Sequence, residues 1–206
     1  MSKHCCPTDL DTSADDAAYR RILWVVLVLN AVMFVVEILS GLHAGSVSLQ
    51  ADALDFLGDA ANYGIALYAL GRSLRFKAFT ALTKSATMLV FGIWVIGQAF
   101  YKIYTGILPA AEVMGVVGFI ALAVNLICFY LLSRHSREDS NRKSVWLCSR
   151  NDAVCNIAVL VAAGAVHYTT SFWPDLLVAG MIATLAISGA WQVMRQARKE
   201  LSQTKA

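Results

Sequence analysis

The sequence has too few charged residues for a protein that is surrounded by water. Only 15% of its 206 residues are Asp, Glu, Lys or Arg, whereas 58% are hydrophobic. Soluble globular proteins carry roughly 25% charged residues, because their surfaces must be solvated. This shortage excludes an ordinary water-soluble fold and favours a protein whose surface faces lipid.

Three further absences narrow the class of protein. The first 19 residues are polar and lack a basic segment followed by an apolar one, which excludes a cleavable signal peptide. The five cysteines lie in apolar runs or in the N-terminal tail, so they indicate no disulfide framework. No G-x-x-x-x-G-K-[ST] motif is present, which argues against ATP-driven chemistry within this chain.

Six apolar runs fill most of the chain. A membrane-spanning helix requires about 20 predominantly apolar residues. The second and fifth runs are the weakest candidates because they contain acidic residues. The runs predict an all-α polytopic membrane protein with six transmembrane helices at residues 22–42, 47–70, 79–101, 114–132, 145–167 and 176–194. The corresponding organisation is an N-terminal tail (1–20), a transmembrane transport domain (21–196) and a short C-terminal tail (197–206).

The basic residues predict how the chain is oriented. Most of the 17 Lys and Arg residues lie at the two termini and in the connections after the second and fourth spans. These segments share one side of the membrane, and positive charge collects on the cytoplasmic side. Both termini are therefore predicted to be cytoplasmic. The same rule accounts for the net charge of +3, so a nucleic-acid partner is not expected.

The second span contains three aspartates. Asp52, Asp55 and Asp59 lie within eight residues of one apolar helix. Each charged residue costs roughly 2.5–3.5 kcal/mol at the centre of a bilayer, so such residues are retained where they have a function. Asp55 and Asp59 are four residues apart and share one helix face, where their carboxylates can bind one ion.

The fifth span repeats this spacing with Cys148 and Asp152. Counted from the outer ends of the two spans, Asp59 and Asp152 lie within about one turn of each other, at 1.5 Å per residue. Two such pairs would supply four ligands for one metal ion, and tetrahedral coordination by sulfur and oxygen fits zinc. A sulfur ligand also suits softer cadmium. The sequence predicts a metal site at Asp55, Asp59, Cys148 and Asp152.

A structural interpretation of these acids remains open. They could cap helices or form ion pairs with Lys84 and Arg150, which lie within or at the edge of spans. Intramembrane ionisable groups are usually functional, and two spaced pairs at matching depth favour a metal site.

Five residues are secondary candidates for binding metal. His4, Cys5 and Cys6 form a soft-ligand cluster in the N-terminal tail, where they could capture metal from the cytosol. Chance clustering in a polar tail is the competing explanation. Glu37, in the first span, could carry protons or line the pathway, and Asp52 could line an outer vestibule. Both could instead form hydrogen bonds within the helix bundle.

Three segments of the chain carry motifs of one family. They are residues 30–63, with Glu37, Ser40-Gly41, Ser46 to Leu49, Ala51-Asp52-Ala53, Asp55 and Asp59, residues 141–156, and Trp173-Pro174-Asp175. These segments resemble the cation diffusion facilitators. The resemblance implies a homodimeric, proton-coupled exporter of zinc and related metals, and we expect it in a bacterial inner membrane. Asp55, Asp59 and Asp152 match ligand positions of that family, whereas Cys148 stands where His is usual. The chain also ends where the family's cytoplasmic domain would begin, so we expect a short form.

The predicted function is export of a divalent transition metal, zinc foremost, with cadmium or cobalt as alternatives. Ligands must lose protons to bind metal, so antiport with protons could drive it. The expected partners are the metal ion, protons and the bilayer, with no cofactor and no enzymatic activity. Two other classes remain as alternatives. One is a metal sensor or chaperone that does not transport, and the other is an intramembrane aspartyl protease, which Gly58-Asp59 weakly resembles.

Overall fold

The computed structural model describes the backbone of residues 17–68, 74–135 and 139–203. Within these ranges the side chains of residues 17–19, 74–78, 134–135, 139–151, 196 and 198–203 are not described. The N-terminal cluster His4, Cys5 and Cys6 lies outside the described residues, and Cys148 and Arg150 lie among the undescribed side chains. In the described part of the chain the regular secondary structure is α-helix, with no strand.

Six helices follow one another with short connections. This confirms the predicted all-α class and the number of helices. Most of them extend beyond the predicted apolar runs, because a helix continues into the polar interface until a capping residue ends it. The helices are α1 (Ala17–Ala44), α2 (Val47–Tyr68), α3 (Leu74–Thr105), α4 (Ala111–His135), α5 (Asp139–Thr169) and α6 (Trp173–Gln203).

Five of these helices are long and apolar enough to cross a membrane. They are α1, α3, α4, α6 and the part of α5 from Asp152 to Thr169. The exception is α2, whose 22 residues span about 33 Å at 1.5 Å per residue but include Asp52, Asp55 and Asp59. The helix that is too polar to count as a membrane span is therefore the one that carries Asp55 and Asp59, two of the four predicted ligands.

Helix α2 is the central helix of the bundle. It contacts α1, α3, α5 and α6, while α1 also packs against α4, α4 against α5, and α3 against α6. The largest buried apolar cluster joins α2 to its neighbours through residues such as Leu54, Val95, Val159 and Ala179. The ten residues from Val47 to Phe56 are buried with the single exception of Asp55, which is half-buried.

The periphery of the bundle is apolar. On α1, exposed Trp24, Val28, Val32, Val35 and Leu39 recur every three or four residues. This spacing places them on one helix face, opposite the buried residues. A soluble protein rarely exposes so large an apolar surface. The exposed stripe is therefore the lipid-facing side of α1.

A tight glycine-containing turn joins α1 to α2. Gly45 has φ +64°, and its N–H donates to the carbonyl of Leu42 while the N–H of Ser46 donates to the carbonyl of Gly41. These two hydrogen bonds form a Schellman motif, in which glycine takes the left-handed conformation cheaply. A Cβ atom on Gly41 would lie 2.8 Å from Cγ of Gln50, so the two helices approach closely. The turn fixes α2 against α1.

Candidate metal site

The carboxyl groups of Asp55 and Asp152 meet between α2 and α5. They lie within hydrogen-bonding reach of each other, and both side chains are half-buried. The sequence predicts that Asp59 and Asp152 lie within about one turn of each other in depth, and in the structure Asp55, one turn from Asp59 on α2, is the residue that meets Asp152. The structure thus brings together one predicted ligand from each of two helices.

Asp59 lies one helical turn from Asp55 on α2. It interacts electrostatically with Asp55 and Asp152, and Tyr63 hydrogen-bonds its carboxyl group. Among the residues whose side chains are described, no three His, Cys, Asp or Glu side chains come close enough to hold a metal ion together. Asp55 and Asp152 are therefore two neighbouring predicted ligands, with Asp59 one turn away.

Lys84 of α3 is the basic residue beside these acids. Its ammonium group donates a hydrogen bond to Oδ1 of Asn62, three residues after Asp59 on α2. It also interacts electrostatically with Asp59 and Asp55. Among the described residues, Lys84 forms no ion pair with an N–O distance of 4.0 Å or less. In the described part of the chain, such a pair joins Lys102 and Asp175 instead. The structural alternative is thus realised in part, because Lys84 provides a nearby positive charge without forming a contact ion pair.

Glu37 and Asp52 form a second pair of acids, between α1 and α2. Both side chains are 0% exposed, and their carboxyl groups interact with each other. A hydrogen bond between two carboxyl groups requires a proton on one of them. Without that proton, none of their four oxygens has a hydrogen-bond partner. The structure therefore brings together Glu37 and Asp52, the two secondary metal-binding candidates that lie within predicted spans.

Other buried polar groups lie within the helix bundle. Asn30 donates to the carbonyl of Val26 and, at 3.6 Å, to Sγ of Cys128 on α4. The side-chain amide of Asn156, next to the site on α5, donates to the carbonyl of Asp152. Cys128 and Cys155 are buried free thiols, as expected of small residues in the core.

At the opposite end of α2, Asp175 is surrounded by hydrogen-bond donors. Its carboxylate accepts from the backbone N–H groups of Val47 (2.9 Å) and Ser48 (3.0 Å), and from the hydroxyl groups of Ser46 (2.7 Å) and Ser48 (2.6 Å). Lys102 of α3 forms a 2.8 Å ion pair with it. An acid at a helix N-terminus satisfies unpaired N–H groups and the helix dipole. Asp175, which lies on α6, therefore caps the N-terminus of α2.

No role for Lys102 or Asn62 was predicted from the sequence, and Lys84 was predicted only as an alternative ion-pair partner of the acids. The signal available for Lys84 and Lys102 was that each lies inside a predicted span or beside one. A lysine at such a position must find an acid or a carbonyl group. The sequence does not identify which acid, because Lys102 and Asp175 are 73 residues apart.

Known proteins match this chain along most of its length. A family model described as the cation efflux transmembrane domain matches residues 23–202. The zinc transporter ZitB of Yersinia pestis is 25% identical over 91% of this chain, and that of Escherichia coli (strain K12) is 24% identical over 91%. The metal cation efflux system protein CzcD of Cupriavidus metallidurans is 24% identical over 85%.

The matched segment is shorter than these relatives. This chain covers 64% of either ZitB protein and 60% of CzcD, which is less than two thirds of their length. The family model nevertheless covers all or most of each of the six helices. The chain belongs to the cation efflux family of integral membrane proteins.

Proposed function

We propose that this chain exports a divalent transition metal, with zinc as the first candidate. The observation that carries the proposal is the meeting of Asp55 and Asp152 between α2 and α5. Carboxylates that face each other inside an apolar bundle need protons or a cation to offset their charge. The related ZitB and CzcD proteins are named as zinc and metal cation transporters, which supports the same substrate class.

We infer that Asp55, Asp59, Cys148 and Asp152 are the four ligands. Along α2, Asp59 follows Asp55 by four residues, and along α5, position 148 precedes Asp152 by four residues. The two helices run in opposite directions. When Asp55 and Asp152 are level, positions 59 and 148 are therefore level one turn further on. This register supports a site with two ligands from each helix.

Proton exchange through the same residues would couple transport to a proton gradient. A carboxylate or thiol must be deprotonated to bind metal, so metal binding releases protons and metal release takes them up. Each cycle then moves metal in one direction and protons in the other. We place the protein in a bacterial inner membrane, as a homodimer with both termini in the cytoplasm, as the positive-inside pattern and the family resemblance suggest.

The intramembrane aspartyl protease remains the enzymatic alternative. It requires one carboxyl group from each of two helices, and Asp55 and Asp152 satisfy that single requirement. Membership of the cation efflux family argues against it, because the members compared above are named as transporters.

Metal flux into vesicles tests the proposal. The purified 206-residue chain is reconstituted with a zinc-sensitive dye inside the vesicles, and an acidic interior provides the proton gradient. We expect zinc uptake that depends on the gradient and is abolished when Asp59 is replaced by Asn. Zinc binding without flux would identify a sensor or chaperone and would contradict transport. A matched control is Glu112→Gln, because Glu112 is an exposed acid in the first turn of α4.

A further inference from the structure

Lys84 is a cation whose side chain borders the acidic site without contacting it as an ion pair. It lies on α3, within a span whose apolar part runs from Phe79 to Thr105. Its ammonium group is held by Oδ1 of Asn62, which follows Asp59 by three residues on the neighbouring helix. A lysine within a span is retained where it has a specific partner. Here the partner is a neutral amide next to an acid.

The position of Lys84 changes the charge of the site. The four proposed ligands Asp55, Asp59, Cys148 and Asp152 carry a formal charge of −4 when all are deprotonated, and the ammonium group of Lys84 reduces this to −3. A divalent cation then leaves a charge of −1. Charge interactions inside a membrane protein are weakly screened, so one ammonium group alters the affinity for a bound ion appreciably. The ammonium group of Lys84 and a bound metal ion would therefore both be attracted by the same carboxylates.

The surroundings of Lys84 give its side chain room to move. A cavity of about 570 Å³ lies between α2 and α3 and is lined by Lys84, Leu57, Ala61, Thr83 and Met88, among others. The lysine side chain is long and has four rotatable carbon bonds. Rotation about these bonds would move the ammonium group from Asn62 toward Asp59.

We propose that Lys84 sets the metal affinity of the site: anchored by Asn62, its ammonium group competes with the transported ion for Asp55 and Asp59. This inference rests on the proposed function. A transporter must release its ion, and binding that is too tight slows release. Lys84 would weaken binding enough for the ion to leave. A lysine that only joins α2 to α3 would contribute to stability and have no effect of this kind on affinity.

Equilibrium zinc binding to the purified full chain tests the proposal. We expect Lys84→Met to bind zinc about tenfold more tightly than the wild type, which corresponds to about 1.4 kcal/mol. In vesicles, both KM and kcat should fall, because tighter binding is accompanied by slower release. Lys84→Arg should restore wild-type values. Lys84→Gln is the second neutral variant, because it retains a hydrogen-bonding group and the same shift is expected.

Asn62→Ala should have the opposite effect. Without its anchor, the ammonium group can stay beside Asp59, and zinc binding should weaken about threefold. The double variant Asn62→Ala with Lys84→Met should match Lys84→Met alone. Thr105→Ala is the matched control, since Thr105 is exposed, lies on α3 away from the cavity and donates to the carbonyl of Tyr101 in its own helix.

The outcomes separate the two proposals. Wild-type or weaker zinc binding in both neutral variants, with binding lost in Asp59→Asn, would overturn the role of Lys84 and leave the metal site intact. Wild-type binding in Asp59→Asn would overturn the site and this inference with it. Tighter binding in both neutral variants with wild-type affinity in Thr105→Ala supports the proposal.

Discussion

Aspartate side chains lie at two places along α2, its first turn and its middle, and their surroundings differ. At its first turn, the carboxylate of Asp175 accepts hydrogen bonds from two backbone N–H groups and two hydroxyl groups and forms an ion pair with Lys102. In its middle, Asp55 faces Asp152, another acid, and Lys84 remains outside contact distance. One region is saturated with donors, whereas the other brings like charges together.

We infer that this difference separates a structural aspartate, Asp175, from the aspartates of the proposed metal site. A buried charge is tolerated when its partners satisfy it completely, and Asp175 meets that condition. Like charges that are brought together destabilise a bundle unless a proton or cation joins them. We therefore expect variants at the first turn to lose stability and variants in the middle of the helix to lose metal binding.

The largest expected effect is on transport. Asp59→Ala or Asp152→Ala should lower zinc flux by at least about 100-fold, because removing one ligand costs more than the 10–100-fold typical of residues behind the ligands. Both variants should express and fold, since each removes a buried charge that lacks a contact ion pair. Flux in vesicles, normalised to folded protein, is the measurement. Flux near the wild-type rate in either variant would contradict the site.

The next effect is on stability at the first turn. Asp175→Asn leaves Lys102, which is 4% exposed, without its ionic partner. Breaking a buried ion pair costs about 3–5 kcal/mol, so the thermal unfolding temperature in detergent should fall. Zinc affinity should be retained in the folded fraction. Glu112→Gln provides the exposed-acid control. An unchanged unfolding temperature in Asp175→Asn would show that this network does not stabilise α2.

A smaller effect concerns metal selectivity through Cys148. Thiolate is softer than imidazole or hydroxyl, so it favours cadmium. Cys148→His should keep zinc transport and reduce cadmium transport relative to zinc about tenfold, equivalent to about 1.4 kcal/mol. Cys148→Ser should weaken both metals, and cadmium more. Dose–response curves for the two metals test this. Parallel shifts in every variant would show that Cys148 does not bind the ion.

The smallest effect is expected in the N-terminal tail. Deleting residues 1–7, or replacing Cys5 and Cys6 by Ser, should leave transport intact at saturating metal and raise the apparent KM a few-fold. A tethered ligand raises the local metal concentration but forms no part of the pathway. Initial rates across a zinc titration provide the test. Loss of transport at all zinc concentrations would assign the tail a different role.

The sequence was sufficient to predict the helices, and it pointed to the segments whose acids the structure brings together. Apolar runs predict helices reliably, and acids inside such a run are conspicuous because their cost is high. Asp55 and Asp152 could thus be assigned to one site before any contact was known. Family resemblance then narrowed the chemistry to divalent metals.

Relations between distant residues could not be predicted in the same way. The register of α2 and α5 depends on where each helix ends, and a helix of known length can still begin one turn higher or lower. The cap of α2 by Asp175 joins residues 128 positions apart. The packing of α1 against α2 across the turn at Gly45 brings Glu37 to Asp52. Such contacts depend on how the whole bundle packs.

Equilibrium zinc binding to four single variants tests the central claim most directly. Asp55→Asn, Asp59→Asn, Asp152→Asn and Asp175→Asn make the same chemical change at four positions, and the unfolding temperature is recorded on each preparation. We predict that the first three bind zinc at least about 100-fold more weakly than the wild type. Asp175→Asn should bind zinc with wild-type affinity while unfolding at a lower temperature. Wild-type affinity in all of the first three variants would contradict the account.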